Sequence, residues 1–465
     1  MPAAIIDELR AAFDATTVLT GNEIDARYHT DMAGIPVAPP LAVMRPRSTE
    51  DVSKFLKLCH QARAAVTTQG GMTGLVRATM PLPGEIVLSM ERMNAIEEVD
   101  TGGGVVITQT GVPLQRLQER VGRDGFMFPL DLGARGSCTI GGNISTNAGG
   151  NRVIRYGMTR DLVLGLEAVL ADGTVLKGVR KYIKNNTGID LKQLFIGTEG
   201  TLGVVTRAAL RIFPAPAEQQ VALCALESFD KVRALLDLAR TRLAGDLTAF
   251  EVMWNEYYRL TTELVKGVAA PLPTHHPFYV LLEASGSDAE RIRNDLEEML
   301  EKALERDIIV DATIASSGAA AAAIWRIRDS SVELSRATGP NGVGFDISLA
   351  IDKMEAFADA INTGLKQKID EDAYAIVFGH AGDGNLHVNA KYPATTTDRT
   401  EEVTKLVYGI TADFGGSISA EHGIGMLKRP YLKLSRTEEE IETMRTLKRA
   451  LDPHHILNPG RIFTI

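Results

Sequence analysis

The chain has 465 residues, of which 45% are hydrophobic and 23% charged, and its formal net charge at pH 7 is −9. This composition is typical of a globular protein of two to four domains, and the negative charge argues against sequence-independent binding to nucleic acid. The three cysteines are few and widely spaced, which favours a reducing compartment without a disulfide framework. The N-terminus indicates an amphipathic helix rather than a signal peptide, and no apolar run is long enough to predict a transmembrane segment.

The first half of the chain alternates β-rich runs with helical runs. Hydrophobic periodicity predicts helices over residues 49–62, with Thr49 as the N-cap, and over residues 112–121. By contrast, residues 131–151 are rich in glycine, serine and asparagine, and we interpret them as a loop that wraps around a ligand. Strands are predicted at residues 41–44, 66–68, 86–89, 105–108 and 164–170, and residues 172–174 are predicted to form a hairpin turn.

Glycine becomes less frequent after about residue 218, beyond a plausible boundary at Pro214-Ala215-Pro216. Helical runs at residues 227–243, 288–305 and 319–337 alternate there with strands near residues 278–283, 345–350 and 374–378. This pattern predicts an α+β domain. The tail, residues 437–451, is predicted to form an amphipathic helix.

Three glycine-rich loops, at residues 69–74, 141–150 and 197–203, are the first functional signal. Backbone amides without Cβ atoms can approach a pyrophosphate and donate hydrogen bonds to it. The GxGxxG pattern that opens a helix and the GxxxxGK[ST] pattern are both absent, which argues against a doubly wound dinucleotide domain and a nucleotide triphosphatase. The alternative, that the glycines only form turns, weakens when three such loops occur together.

Two short histidine segments, at residues 379–389 and 420–425, are the second signal. Strands predicted at residues 374–378 and 386–390 form a hairpin that places His380 and His387 at its two shoulders, where opposed Cβ atoms lie about 4.5–5.5 Å apart. Two imidazoles can then bind one ion, and Glu421 can add an oxygen ligand. His422 would serve as a base near neutral pH. The alternative is two core histidines, a surface Glu421, and His422 held in a glycine turn.

Residues 46–52, 69–75, 139–150, 197–203 and 458–461 resemble the FAD domain of the vanillyl-alcohol-oxidase flavoproteins. With the histidine segments added, the chain resembles the FAD-linked D-2-hydroxyacid dehydrogenases, the branch that holds D-lactate, D-2-hydroxyglutarate and glycolate dehydrogenases. The resemblance implies an α+β fold with three parts. Residues 1–216 would form a PCMH-type FAD-binding domain of two α+β subdomains, residues 217–425 a substrate- and metal-binding cap, and residues 426–465 a helical segment that packs back on the FAD domain.

The resemblance also implies which residues surround the cofactor. Some relatives attach FAD covalently through histidine or tyrosine, and residues 69–75 contain neither, so we expect non-covalent FAD. The residues implied to bind it are Gln69, Gly70, Gly71, Met72, Thr73, Gly74, Leu75, Asp131, Gly136, Ser137, Thr139, Gly141, Gly142, Ser145, Asn147, Gly149, Ile196, Glu199, Gly200, Val204 and Asn458.

In the resembling dehydrogenases, the positions of His380, His387 and Glu421 hold a divalent metal, usually zinc. The metal would lower the pKa of the substrate hydroxyl, His422 would accept its proton, and the α-hydrogen would pass to flavin N5 as hydride. Arg328 matches the arginine of a tryptophan-containing motif and would bind the substrate carboxylate. The alternative is an exposed Arg328 paired with Asp329 or Glu333.

Three further positions concern the substrate's side chain. Asn389, two residues after His387, is expected to be a further polar contact, and Val332 is expected to share a helix face with Arg328. D-2-Hydroxyglutarate-oxidising members carry threonine where this chain has Val332, and lysine where it has Gly344 and Phe345. These differences favour D-lactate or a homologue with a larger apolar or aryl group, and D-2-hydroxyglutarate is the alternative.

Other functions remain open from the sequence: a metal-independent FAD alcohol or sugar oxidase of the same fold, a zinc hydrolase with an unrelated glycine-rich domain, and a non-catalytic flavin-binding protein. For the dehydrogenase, we expect an electron acceptor such as a quinone, a cytochrome or an electron-transferring flavoprotein. A cytoplasmic location is expected, with peripheral association at the inner membrane and a homodimer left open.

Overall fold

The computed structural model describes residues 2–32, 34–394 and 397–465, and its contacts divide the chain into two compact units. Compared with the predicted domains, residues 151–156 fall in the second unit and residues 421–425 fall in the first. The first unit comprises Met1–Gly150, Gly157–Ala215 and Glu421–Ile465, and the second comprises Asn151–Tyr156 and Pro216–Ala420.

The first unit contains two main sheets, one partly parallel and one antiparallel, as expected for two α+β subdomains. The four-stranded sheet has the order β1-β2-β4-β3, and its β2–β4 and β3–β4 pairs are parallel. The five-stranded sheet has the order β5-β6-β10-β8-β9 and is antiparallel. The strands are β1 (Val18–Thr20), β2 (Ala42–Met44), β3 (Val66–Gln69), β4 (Ile86–Ser89), β5 (Ile96–Asp100), β6 (Val105–Gln109), β7 (Phe126–Met127), β8 (Val163–Val169), β9 (Val175–Gly178), β10 (Val204–Arg211) and β11 (Phe213–Pro214).

The helices of the first unit correct two predictions. The helix Thr49–Ala62 has the predicted bounds, but its N-cap is Ser48, whose side chain accepts a hydrogen bond from the Asp51 amide. The segment predicted as a loop around a ligand contains the helix Ile140–Thr146, whose C-cap residue Asn147 is in the left-handed region. The helices are Pro2–Ala12, Thr49–Ala62, Leu114–Gly122, Ile140–Thr146, Thr159–Leu162 and Glu438–Leu451.

The second unit is built on one seven-stranded antiparallel sheet with the order β15-β12-β14-β13-β17-β18-β16. Its central strands are almost wholly buried, as the near-continuous apolar sequence of Phe278–Gly286 requires. The strands are β12 (Glu218–Leu226), β13 (Leu247–Trp254), β14 (Phe278–Gly286), β15 (Asp311–Ile314), β16 (Gly342–Ser348), β17 (Tyr374–His380) and β18 (Asn385–Lys391).

The helix predicted over residues 319–337 is broken at Ser330, which corrects the expectation that Val332 shares a helix face with Arg328. The Tyr257 hydroxyl donates to the Arg328 carbonyl at 2.5 Å, so that carbonyl is bonded outside the helix. Val332 therefore lies on a separate short helix, where it is 57% exposed. The helices of this unit are Val153–Tyr156, Phe229–Arg242, Asn255–Leu264, Ala289–Glu305, Gly318–Asp329, Ser331–Ala337, Met354–Lys368 and Thr400–Asp413.

Within the described residues, no helix combines the length and apolar character needed to cross a membrane.

Candidate active site

The glycine loops of the first unit line two adjoining cavities that share Gly70 and Thr139. Strand β3 leads directly into the first loop, and the helix Ile140–Thr146 supplies the second. The predicted FAD-binding residues that line one or both cavities are Gln69, Gly70, Gly71, Met72, Ser137, Thr139, Gly141, Gly142, Ser145, Glu199, Gly200, Val204 and Asn458. Lining residues that the sequence did not indicate include Thr68, Thr79, Thr110, Tyr28 and Arg116.

The remaining predicted FAD residues do not line these two cavities, and a cofactor contact for them stays a prediction. Two of them have other partners: Asp131 accepts a hydrogen bond from Arg135 at 3.0 Å, and Asn147 accepts one from the Arg160 amide at 2.9 Å. The set outside the two cavities is Thr73, Gly74, Leu75, Asp131, Gly136, Asn147, Gly149 and Ile196.

Three buried side-chain atoms at these cavities fit a polar ligand such as FAD. Among the described residues, the hydroxyls of Thr68 and Thr139 and the Gln69 carbonyl oxygen are buried without a hydrogen-bond partner in the protein. Such groups normally pair, because an unpaired buried polar atom costs about 1–3 kcal/mol. Their donor and acceptor capacity matches the phosphates and hydroxyls of a dinucleotide.

Glycine is required at position 71 because the first glycine loop packs closely against the backbone of residues 137–138. A Cβ at this position would lie 2.0 Å from the Ser137 carbonyl oxygen and 2.8 Å from the Cys138 Cα. Both are backbone atoms, so they cannot move away as a flexible side chain would. The absence of a side chain at Gly71 therefore allows the two loops to close together before any ligand is considered.

The C-terminal tail joins two of the loops through Asn458. Its side-chain carbonyl accepts a hydrogen bond from the Thr68 amide at 2.9 Å, and its side-chain amide donates to the Glu199 carbonyl at 2.6 Å. Asn458 also lines the first cavity. The tail thus fixes the cavity wall, and a flavin contact by Asn458 stays a prediction.

Glu199 holds the segment that carries His422. Its two carboxylate oxygens accept hydrogen bonds from the amides of Ile424 and Gly425, at 2.7 and 2.8 Å. Burial raises the pKa of Glu199 to about 6, although the two amides and nearby positive charges oppose the rise. These bonds explain why residues 421–425 belong to the first unit. The sequence had indicated only a cofactor contact for Glu199.

In the second unit, strands β17 and β18 form the predicted hairpin, but the two histidines are not directly opposed. His387 pairs with Phe378 and His380 with Asn385, so the histidines are diagonal neighbours on one face. Their ring centres are 5.5 Å apart, at an interplanar angle of 74°. Two imidazoles that share one ion have ring centres about 5 Å apart, since metal–nitrogen bonds are about 2.0–2.1 Å long. The pair therefore fits a shared metal ion.

Asp346 fixes the chain just before the predicted ligand Glu421. It is fully buried opposite His387 on strand β16, and its carboxylate accepts hydrogen bonds from the Asn385 side chain at 2.9 Å and from the Ala420 amide at 3.1 Å. Ala420 is the last residue of the second unit, and Glu421 follows it along the chain. Metal binding by Glu421 and catalysis by His422 stay predictions.

Glu251 on strand β13 is the main site residue that the sequence analysis missed. Its carboxylate binds Arg328 through Nε at 2.7 Å and His380 through Nδ1 at 2.6 Å. Arg328 Nη2 in turn lies 2.9 Å from His380 Nε2. A glutamate within the otherwise apolar run LTAFEVMW was the available signal, because a buried acid needs a partner.

The neighbours of Glu251 and Arg328 in this cluster shift their pKa values toward the charged forms. Burial alone would raise the pKa of Glu251, but His380 and Arg328 outweigh it and lower the pKa to about 2. Burial would lower the pKa of Arg328, and the charge of Glu251 raises it above its ordinary value instead. Arg328 is 9% exposed, so it does not have the exposed position that the alternative gave it. Its Nη1 does lie 3.8 Å from Asp329, but its shorter ion pair is with Glu251.

The other predicted substrate positions are Asn389 and Gly344, which lie on the sheet, and Val332, which does not. Asn389 pairs with Gly344, two residues along from the His387–Asp346 pair, so these residues share a sheet face. A Cβ at Gly344 would meet no atom within 4 Å, which leaves open space there. The exposed Val332 is on the separate helix described above. Substrate contacts by Asn389, Gly344 and Val332 stay predictions.

Two family models match the chain. Residues 40–178 match the FAD binding domain, and residues 215–462 match the C-terminal domain of FAD linked oxidases. Together they match most of both units. The matches exclude a hydrolase with an unrelated glycine-rich domain.

Several curated proteins are similar over most of their length. A mitochondrial D-2-hydroxyglutarate dehydrogenase from Bos taurus is 41% identical over 423 residues, which are 90% of this chain and 76% of the bovine protein. A D-2-hydroxyglutarate dehydrogenase from Xanthomonas citri pv. viticola is 40% identical, over 91% of this chain and 89% of that protein. A protein of Schizosaccharomyces pombe with the provisional name mitochondrial D-lactate dehydrogenase is 38% identical, over 90% and 80%.

Solved structures share the fold at low sequence identity. p-Cresol methylhydroxylase is 16% identical with a TM-score of 0.77, over 99% of this chain and 97% of that one. Alkyldihydroxyacetonephosphate synthase is 16% identical with a TM-score of 0.76, over 98% and 84%. The α+β fold of the vanillyl-alcohol-oxidase type is thereby confirmed. With the family models and the curated relatives, these findings show that the chain belongs to the FAD-linked D-2-hydroxyacid dehydrogenases.

Proposed function

We propose that the chain oxidises a D-2-hydroxy acid to the corresponding 2-oxo acid. The observation that carries this proposal is the cluster on one sheet face of the second unit, where two imidazoles lie beside a buried arginine. An arginine suits a carboxylate, and paired imidazoles suit a metal bound by an adjacent hydroxyl. A 2-hydroxy acid carries both groups on neighbouring carbons.

Each predicted site residue has a defined role in this reaction. Arg328 binds the substrate carboxylate, and His422 accepts the hydroxyl proton. Bound FAD would supply the acceptor for the α-hydrogen, which would leave the substrate as hydride. His380, His387 and Glu421 would hold a divalent metal, with zinc as the usual choice in the resembling dehydrogenases, and that metal would lower the hydroxyl pKa.

For the substrate's side chain, we propose a monocarboxylic acid such as D-lactate, or a homologue with a larger apolar or aryl group. Gly344 supplies no cation for a second carboxylate, and Val332 supplies no hydroxyl. D-2-Hydroxyglutarate is the second candidate, because the similar bovine and Xanthomonas proteins are named for it. Steady-state kinetics with both acids decide between them, and a preference for D-2-hydroxyglutarate by orders of magnitude would contradict the first choice.

Anaerobic bleaching of the flavin by a panel of D- and L-2-hydroxy acids, with and without a chelator, tests the reaction. We expect bleaching by a D-2-hydroxy acid, and we expect the chelator to abolish it. Bleaching that is unchanged by the chelator would indicate a metal-independent oxidase. No bleaching by any acid would indicate a non-catalytic flavoprotein.

His422→Ala tests the proposed base. The variant should retain FAD and metal, and its kcat should fall about 10²- to 10⁴-fold, the usual contribution of a general base. Turnover equal to that of the wild type would contradict the role of His422.

The physiological partners and location are part of the same proposal. A quinone, a cytochrome or an electron-transferring flavoprotein would reoxidise the flavin. A cytoplasmic location, peripheral association with the inner membrane and a homodimer also stay predictions, and several similar proteins carry the word mitochondrial in their names. Reoxidation of the substrate-reduced enzyme by each class of acceptor, followed by stopped-flow absorbance, distinguishes the acceptors.

A further inference from the structure

We propose that Glu251 is a positioning residue that prepares His380 for metal and Arg328 for the substrate carboxylate, and so couples the two binding events. The inference rests on the proposed function and adds a residue to it. Glu251 is 1% exposed, and each of its carboxylate oxygens contacts a different partner.

The contacts of Glu251 select one tautomer of His380. An arginine can only donate hydrogen bonds, so the 2.9 Å contact from Arg328 Nη2 requires a lone pair on His380 Nε2. The Nδ1 atom then carries the proton and donates it to Glu251 at 2.6 Å. A histidine whose Nδ1–H is bound by a carboxylate presents Nε2 as a fixed and more basic metal ligand.

The same geometry links metal binding to Arg328. One lone pair on Nε2 cannot serve both a metal and the Arg328 N–H, so metal binding at Nε2 releases that N–H. Glu251 still holds the guanidinium through Nε at 2.7 Å, which keeps the released N–H at the site. It can then bond a substrate carboxylate. Metal and substrate should therefore each increase the affinity for the other, because linkage is reciprocal.

Glu251→Gln tests the inference, and Glu283→Gln is the matched control. Glu283 is also buried on the same sheet face, one strand away, but its partners are Thr248, Trp325 and, at 3.7 Å, Arg152 rather than a predicted ligand. Zinc affinity is measured by titration against a chromophoric chelator. We expect Glu251→Gln to weaken zinc binding about 10- to 100-fold, the usual effect of losing such a partner. Glu283→Gln should leave it unchanged.

The coupling has its own readout in the KM for a D-2-hydroxy acid. In the wild type, saturating zinc should lower the Kd of a redox-inert 2-oxo acid product, measured by flavin absorbance. In Glu251→Gln this effect of zinc should disappear, and KM should rise more than kcat falls. Equal zinc affinity in Glu251→Gln and wild type, or an undiminished effect of zinc on product binding, would overturn the inference.

Removal of the Glu251 charge leaves Arg328 buried with only the longer 3.8 Å contact to Asp329, so the single variant can fail to fold. The pair Arg328→Met and Arg328→Met/Glu251→Gln provides a second comparison, because neither leaves an unpaired arginine. In Arg328→Met the Glu251 carboxylate keeps its contact with His380. The double variant should bind zinc at least 10-fold more weakly than Arg328→Met. Equal affinity in the two proteins would again overturn the role of Glu251.

His380→Ala separates this inference from the proposed function. If His380→Ala binds zinc as the wild type does, the proposed metal site is wrong and the role of Glu251 falls with it. If His380→Ala loses zinc and Glu251→Gln keeps it, only the inference about Glu251 is wrong.

Discussion

The two units build their sites in opposite ways. In the first unit, loops close on one another through glycine and leave buried hydroxyls and a carbonyl for a ligand. In the second, buried polar side chains from separate strands and a helix bind one another. The first arrangement depends on local backbone shape, and the second depends on pairing between distant residues. Substitutions should therefore act differently in the two units.

The largest expected effect is in the charged cluster of the second unit. Arg328→Met leaves Glu251 with one of its two partners, and loss of a buried ion-pair partner costs about 3–5 kcal/mol. Arg326→Met on the same helix is the control, because Arg326 is an exposed partner of Glu333 at 3.3 Å and such pairs contribute about 0–1 kcal/mol. Denaturant unfolding of both variants measures the contrast. Equal losses of stability would show that the buried Arg328–Glu251 pair contributes no more to the free energy of unfolding than the exposed Arg326–Glu333 pair.

In the first unit, loop closure is tested by Gly71→Ala with Gly74→Ala as the control. The added methyl at Gly71 would meet the Ser137 carbonyl, whereas one at Gly74 would meet no atom within 4 Å. We expect Gly71→Ala to cost about 1–3 kcal/mol, typical of overpacking, and to lower the flavin content of the purified protein. Thermal unfolding and the flavin-to-protein absorbance ratio report both effects. Identical behaviour of the two variants would contradict the packing argument.

The buried carboxylate of Glu199 should give the first unit a pH-dependent stability. Because folding raises its pKa from 4.5 to about 6, the folded state binds the proton more tightly, and stability from this group falls as pH rises through 6. The shift corresponds to about 2 kcal/mol. Relative to Glu199→Gln, the wild type should therefore lose about 2 kcal/mol between pH 4.5 and 7, measured by denaturant unfolding. Glu50→Gln, at an exposed position, is the surface control, and a difference that is flat with pH would contradict the shift.

The smallest expected effect concerns the choice of substrate in the second unit. Gly344→Lys would place a cation in open space on the sheet face of His387 and Asn389. We expect kcat/KM for D-2-hydroxyglutarate relative to D-lactate to rise about fivefold, or about 1 kcal/mol, as for an added partly exposed ion pair. Gly344→Met has similar length without the charge and should not change the ratio. The same rise in both variants would point to side-chain size rather than charge.

Much of the fold could be predicted because the signals are local. The helix Thr49–Ala62 has its predicted bounds, and the strands that were predicted differ from their predicted bounds by a few residues at most. Other strands were not predicted, among them β12 and β13, the strand that carries Glu251. The helix break at Ser330 could not be predicted, because it depends on a hydroxyl from Tyr257, 71 residues away from Arg328 in the chain. The position of Val332 was therefore predicted from a helix that does not continue.

The sequence by itself determined the family, the FAD-type glycine loops and the histidine hairpin, because glycine spacing and strand alternation are properties of neighbouring residues. Only the tertiary structure decided the partners of the site residues. Glu251 and His380 are 129 residues apart, and Glu199 and Ile424 are 225 apart. A periodic pattern predicts which face of a strand or helix a side chain occupies, but it does not predict which distant strand or loop packs against that face. Sheet order and loop closure set those pairs, and through them the tautomer of His380 and the anchoring of the His422 segment.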